Sequence, residues 1–123
     1  MRYRTLLLSS LIVLVLCTVA YAADFNGTWT AAIETQVGTQ NYTYTFKVEG
    51  EKLTGKTKSQ FGESEITEGV VKGDDITFVE NLNYEGMPLK ITYKGKISGT
   101  DEIKFTRNVA DIADETFVAK RSK

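Results

Sequence analysis

Tyr42-Thr43-Tyr44-Thr45-Phe46-Lys47-Val48-Glu49 decides the fold. Tyr42, Tyr44, Phe46 and Val48 fall on one side of an extended chain, and Thr43, Thr45, Lys47 and Glu49 fall on the other. That period of two is the mark of a strand with one face buried. The same alternation recurs in Ile76-Phe78 against Thr77-Val79, in Leu89-Ile91-Tyr93 against Lys90-Thr92-Lys94, and in Ile103-Phe105 against Lys104-Thr106. No segment has the spacing of an amphipathic helix. The chain reads as all-β.

Glycines punctuate the apolar runs at Gly38, Gly50, Gly62, Gly73, Gly86 and Gly99, the spacing of a hairpin meander. They divide the chain into eight predicted strands, near 27–37, 41–49, 52–61, 64–72, 75–84, 87–98, 102–109 and 115–121. Gly50-Glu51-Lys52-Leu53-Thr54 and Gly73-Asp74-Asp75-Ile76-Thr77 repeat one turn-plus-strand start, and Gly99-Thr100-Asp101-Glu102-Ile103-Lys104 is a third copy with one extra residue. In an up-and-down meander these three turns share one end, here termed closed. The connections at Val37–Gln40, Gly62-Glu63, Glu85-Gly86 and Asn108–Asp114 share the other, open end. Eight such strands form either a closed antiparallel barrel or a two-sheet meander sandwich, and closure, which leaves no exposed edge, is the preferred expectation. A barrel of this size is either filled by its side chains or holds one small ligand.

Residues 1–22 read as a signal peptide. Arg2 and Arg4 start it, Leu6 to Ala20 is nearly uninterrupted apolar sequence, and Ala20-Tyr21-Ala22 offers a cleavage site. A membrane anchor is the competing reading, but the run falls short of the roughly 20 residues needed to span a bilayer. Lipidation at Cys17 is disfavoured by the large Leu16 before it. The remaining 101 of 123 residues, 23–123, suit a single domain in a secreted or periplasmic protein. Without Arg2 and Arg4 the 15 basic residues become 13 against 16 acidic ones, a net charge of −3. Nucleic acid and, after cleavage, membrane surfaces are therefore not expected partners, because both call for clustered Lys and Arg.

The chain has no histidine, and its one cysteine, Cys17, leaves with the leader. Triads and dyads built on histidine, and zinc sites of imidazole or thiolate, are excluded. No metal and no cofactor is expected. Asp111, Asp114 and Glu115 lack the ligand spacing of a calcium loop and read as a solvated acidic loop. Lys90, Lys94 and Lys96 alternate on the outer face of strand six. Asn26-Gly27-Thr28 and Asn41-Tyr42-Thr43 match the glycosylation acceptor, which matters only in a eukaryotic host.

The informative anomaly is charge on the inward parity. Glu80 follows Ile76 and Phe78, Arg107 follows Ile103 and Phe105, and each lies four residues beyond the isoleucine that opens its strand. The two should sit at similar depth, about 10 Å apart with strand six between them. Pairing is the expected resolution of two buried charges, and Glu68, between Ile66 and Val70, can join them. Three readings stay open. The Glu80–Arg107 pair ties the barrel together; or it forms a polar ligand site with Tyr44, Tyr84 and Tyr93 as walls; or Glu68 and Glu80 are the two carboxylates of a glycoside hydrolase.

Gly27-Thr28-Trp29 opening the first strand, with Arg121 late in the last, resembles the calycin pattern of lipocalins and avidins. The resemblance implies that Trp29 packs beneath Arg121 at the closed end. The paired cysteines common in lipocalins and the tryptophans that grip biotin in avidins are missing, so neither family's ligand carries over. With Leu53-Thr54-Gly55, Gly73-Asp74-Asp75-Ile76 and Phe117-Val118-Ala119-Lys120-Arg121, the chain also resembles a small domain of secreted bacterial proteins, found alone or at the tail of glycoside-hydrolase-type enzymes. That implies a non-catalytic binding role for a small molecule or a carbohydrate segment. The alternative is an accessory module whose outer surface meets another secreted protein.

Overall fold

The computed structural model describes residues 24–122, and the predicted leader lies outside them. Eight antiparallel strands run β1 (Gly27–Thr35), β2 (Gly38–Glu49), β3 (Lys52–Ser59), β4 (Gly62–Lys72), β5 (Asp75–Tyr84), β6 (Met87–Ser98), β7 (Glu102–Val109) and β8 (Ala113–Arg121). Each pairs with its neighbours in sequence, and β1 pairs with β8 through Trp29 opposite Arg121 and Thr30 opposite Lys120. The sheet closes as a barrel rather than splitting into a sandwich. None of the described residues forms a helix, so no helix here is long and apolar enough to cross a membrane.

The first hairpin is tighter than expected. β1 ends at Thr35 and β2 starts at Gly38, leaving Gln36 and Val37 as the turn. The Thr35 hydroxyl holds it, donating to the Gly38 carbonyl at 2.7 Å and accepting from the Val37 amide at 3.1 Å. The inward parity of β2 therefore begins at Gln40, which is buried.

A bulge in β4 corrects a second expectation. Thr67 pairs with Val79 and Val70 with Thr77, so Glu68 and Gly69 together face Phe78 alone. Glu68 takes a left-handed φ of 54°, and its side chain points to solvent instead of joining Ile66 inside. The extra residue flips the parity downstream, exposing Val70 and burying Val71. Gly69 makes the bend possible, because a Cβ there would collide with the Leu53 carbonyl oxygen.

Aromatic side chains fill the middle and lower barrel. Tyr42, Tyr44 and Phe46 form a ladder along β2, Phe78 stacks on Tyr93 with ring centres 4.3 Å apart, and Phe105 stacks on Phe117 at 5.3 Å. At the closed end the Trp29 indole donates to the Phe25 carbonyl at 3.0 Å, and the Arg121 guanidinium carbon lies 4.3 Å from the ring centre. Gly27 leaves the space this needs, since a Cβ there would lie 3.2 Å from an Arg121 nitrogen.

Candidate functional site

Packing stops short of the open end. A cavity of about 350 Å³ occupies the upper barrel. Leu82, Leu89, Ile91 and Val109 are among the residues of its apolar wall, with Tyr84, which meets Phe61 edge to face at 5.2 Å. Its rim is mixed, with Thr35, Gln36 and Glu85 beside four large apolar side chains. Val37 in the β1–β2 turn, Phe61 in the β3–β4 turn, Met87 after the β5–β6 turn and Ile112 in the β7–β8 loop each present an apolar side chain to it. Val37, Met87 and Ile112 are 61 %, 59 % and 68 % exposed, whereas the closed-end turns carry only Gly, Glu, Asp and Thr. Scattered exposed hydrophobics need no explanation, but a ring of them around one cavity mouth does.

Polar groups gather at the cavity base. Arg107 and Glu115, register partners on β7 and β8, form an ion pair at 2.6 Å, and both face the cavity. The Arg107 guanidinium also lies 5.0 Å from the centre of the Tyr42 ring. Gln40, one inward position above Tyr42 on β2, is 3 % exposed, and its Oε1 has no hydrogen-bond donor among the described residues.

Beneath this base lies a second polar layer. Tyr93 donates from its hydroxyl to Glu80 Oε1 at 2.7 Å and accepts from Arg107 Nη1 at 2.9 Å and from the Tyr44 hydroxyl at 3.1 Å. Glu80 Oε2 accepts from Thr57 at 2.9 Å, with the Tyr42 hydroxyl at a weaker 3.4 Å. The Tyr93 oxygen has one proton to give and two lone pairs, and all three are used. Burial pushes the Glu80 carboxyl above the ordinary range, against the hydrogen bonds from Tyr93 and Thr57 and the charge of Arg107. Burial likewise raises Tyr44 and Tyr93 well above an ordinary phenol, so both remain neutral donors.

Among solved structures the chain is similar to a redesigned β-barrel, mFAP1, bound to DFHBI. The TM-score is 0.52 at 16 % identity, over 79 % of this chain and 94 % of that one. The likeness is one of fold. No family model matches the chain, and no curated protein matches it.

The residues singled out from sequence divide by depth. Arg107 and Tyr84 line the cavity, while Tyr44, Tyr93 and Glu80 lie beneath its base. Glu80 and Arg107 do not pair directly: Tyr93, on the strand between them, bridges the two. The direct partner of Arg107 is Glu115, expected in a solvated loop but largely buried on β8, its side chain 11 % exposed. Its inward parity with Phe117 and Ala119 was visible in the sequence. Glu68 stands on the outer face, so the pair Glu68 and Glu80 shares no site and cannot flank one glycosidic bond. Asp111 and Asp114 are exposed, and no cluster able to hold a metal ion occurs among the described residues.

Proposed function

We propose that the protein is an exported, non-catalytic binding protein that takes up a small, largely apolar molecule through the open end of its barrel. The observation that carries this reading is the cavity of about 350 Å³, largely apolar in its wall, with Arg107 and Glu115 at its base and Thr35, Gln36 and Glu85 among the apolar side chains of its rim. A barrel of similar fold has been solved with DFHBI bound, which supports a small molecule as occupant. Export rests on the leader read at residues 1–22.

The apolar wall favours such a molecule over a carbohydrate segment, whose many hydroxyls would lose their water without finding partners. The outer barrel wall is a poorer candidate for contact than the open end. Its large exposed hydrophobics among the described residues are Val70 and Val118 alone, and Lys90, Lys94 and Lys96 keep β6 hydrated.

Titration of the purified protein with an environment-sensitive apolar dye tests the proposal. Saturable one-to-one binding that is abolished by filling the cavity, as in Ala113→Trp, is the expected result. Binding unaffected by that substitution, or no binding by any apolar probe, overturns it.

A further inference from the structure

The lysines on the outer face of β6 have no part in the cavity, and the barrel register adds to them. Lys96 stands directly opposite Lys104 on β7, and Lys94, two residues along the same face, is diagonal to Lys104. Lys90 continues the row toward the open end, and all of these side chains are exposed. Like charges directly opposite each other across strands are destabilising. On the wall formed by β2, β3 and β4 the pairing is complementary instead, with Lys52 opposite Glu49, Lys56 opposite Glu65 and Lys58 opposite Glu63.

Two purely structural roles for the row fail. Lysines often blunt an exposed sheet edge, but β6 is paired on both sides in a closed barrel and has no edge to protect. Net charge of either sign keeps a protein soluble, and residues 23–123 already carry an excess of acid. Lys90, Lys94, Lys96 and Lys104 form no ion pair among the described residues. The outward carboxylates of the flanking strands β5 and β7 are Asp75 and Glu102, both at the closed end. The row is therefore uncompensated along most of its length.

The rest of the face narrows the partner. Lys90 to Lys96 spans about 20 Å at roughly 3.3 Å per residue, a straight row that suits a linear polyanion. Thr77 and Thr106 flank Lys94 on either side and offer hydroxyls beside its charge. No aromatic ring is exposed among the described residues, so single-stranded nucleic acid would find no stacking platform. A flat membrane would meet this convex wall along one line only. A wall too hydrated for an apolar partner is in this way matched to a hydrated, charged one.

We infer that the outer face of β6 and β7, centred on Lys94, Lys96 and Lys104, binds a linear acidic polysaccharide whose successive anionic groups lie along the lysine row, at a site separate from the barrel cavity.

Fluorescence anisotropy with labelled polygalacturonate and labelled dextran sulfate tests this on the purified protein. Neutral dextran, single-stranded poly-dT and vesicles of phosphatidylserine and phosphatidylcholine in equal parts serve as comparisons. The acidic polysaccharides should bind, more weakly as salt is raised, and neutral dextran should not. Lys94→Glu combined with Lys104→Glu should lower their affinity about tenfold, as exposed charge contacts turn into repulsions. Lys94→Gln combined with Lys104→Gln should act in the same direction. Lys56→Glu combined with Lys58→Glu, an equal change of net charge on β3, should leave affinity within about twofold. Lys104→Glu alone should leave the melting temperature unchanged or raise it, because it sets a carboxylate opposite Lys96, and so separates lost binding from lost folding.

No binding of either acidic polysaccharide overturns the inference. So does an equal loss in the β3 variant and the β6–β7 variant, which would report net charge alone, or tighter binding to poly-dT or to the vesicles than to both polysaccharides. None of these outcomes touches the cavity reading, which the dye titration tests by itself.

Discussion

Arg121 covers the indole of Trp29 at 4.3 Å and, with the same planar fork, donates to the backbone carbonyls of Asp24, Asn26 and Thr100. One side chain thus joins β8, the segment before β1 and the β6–β7 turn, and seals the closed end. Lysine has a charge to place there but no fork with which to reach three carbonyls.

Arg121→Ala should therefore lower stability by about 1–3 kcal/mol, from the lost cation–π contact and charge-assisted hydrogen bonds. Arg121→Lys should recover less than half. The emission of Trp29, the only tryptophan, should broaden and shift red in the alanine variant as water reaches the ring, while affinity at the far end of the barrel stays unchanged. Denaturant unfolding with fluorescence detection checks all three, and an unaltered spectrum would remove the seal.

Glu115→Ala should cost about 3 kcal/mol, because it leaves Arg107 buried without its carboxylate. Replacing both residues by leucine should cost less than the sum of the single leucine changes. A double-mutant cycle measures this coupling, and strictly additive losses would mean that the 2.6 Å contact carries no pairwise energy.

The pH dependence of folding should carry the signature of Glu80. Its carboxyl is raised by burial, so the folded protein keeps a proton over a range in which the unfolded chain has lost it. Stability from this group is complete below the ordinary carboxylate value of about 4.3 and declines as pH rises through the raised folded value. Glu80→Gln lacks that decline, so its stability should gain on the wild type as pH climbs. Urea unfolding across a pH series checks this, and parallel curves for the two proteins would refute it.

Ile112→Ser should leave stability within about 0.5 kcal/mol, because the side chain is 68 % exposed. Dye affinity should nevertheless fall about threefold to tenfold through loss of an apolar rim contact. An unchanged affinity would place the entry route away from the β7–β8 loop.

The strands and their closure were legible because period two and turn glycines report directly on backbone geometry. The bulge was not. One extra residue at Glu68-Gly69 reverses parity without changing composition, so Glu68 counted inward by spacing ends outward. Gln40 was hidden by a turn assumed longer than the two residues that Thr35 holds. The bridging of Glu80 and Arg107 by Tyr93 was beyond spacing altogether. Alternation gives depth and neighbours, but whether one hydroxyl reaches two charged groups depends on side-chain length and tilt. The cavity was equally out of reach, because it is the difference between an enclosed volume and the side chains that fill it.

The uneven filling of the interior assigns stability and the shape of the cavity to different residues. Trp29, Phe46, Phe78, Phe105 and Phe117 make a solid base that contributes nothing to the chamber wall, whereas Leu89, Val109, Ala113 and Met87 border empty space. Substitutions in the second group meet no packed neighbour across the chamber, so they can change its shape without disturbing the hinge of stability below. On the binding reading proposed above, a barrel built this way can exchange one guest for another through successive single changes, each made in a molecule that still folds.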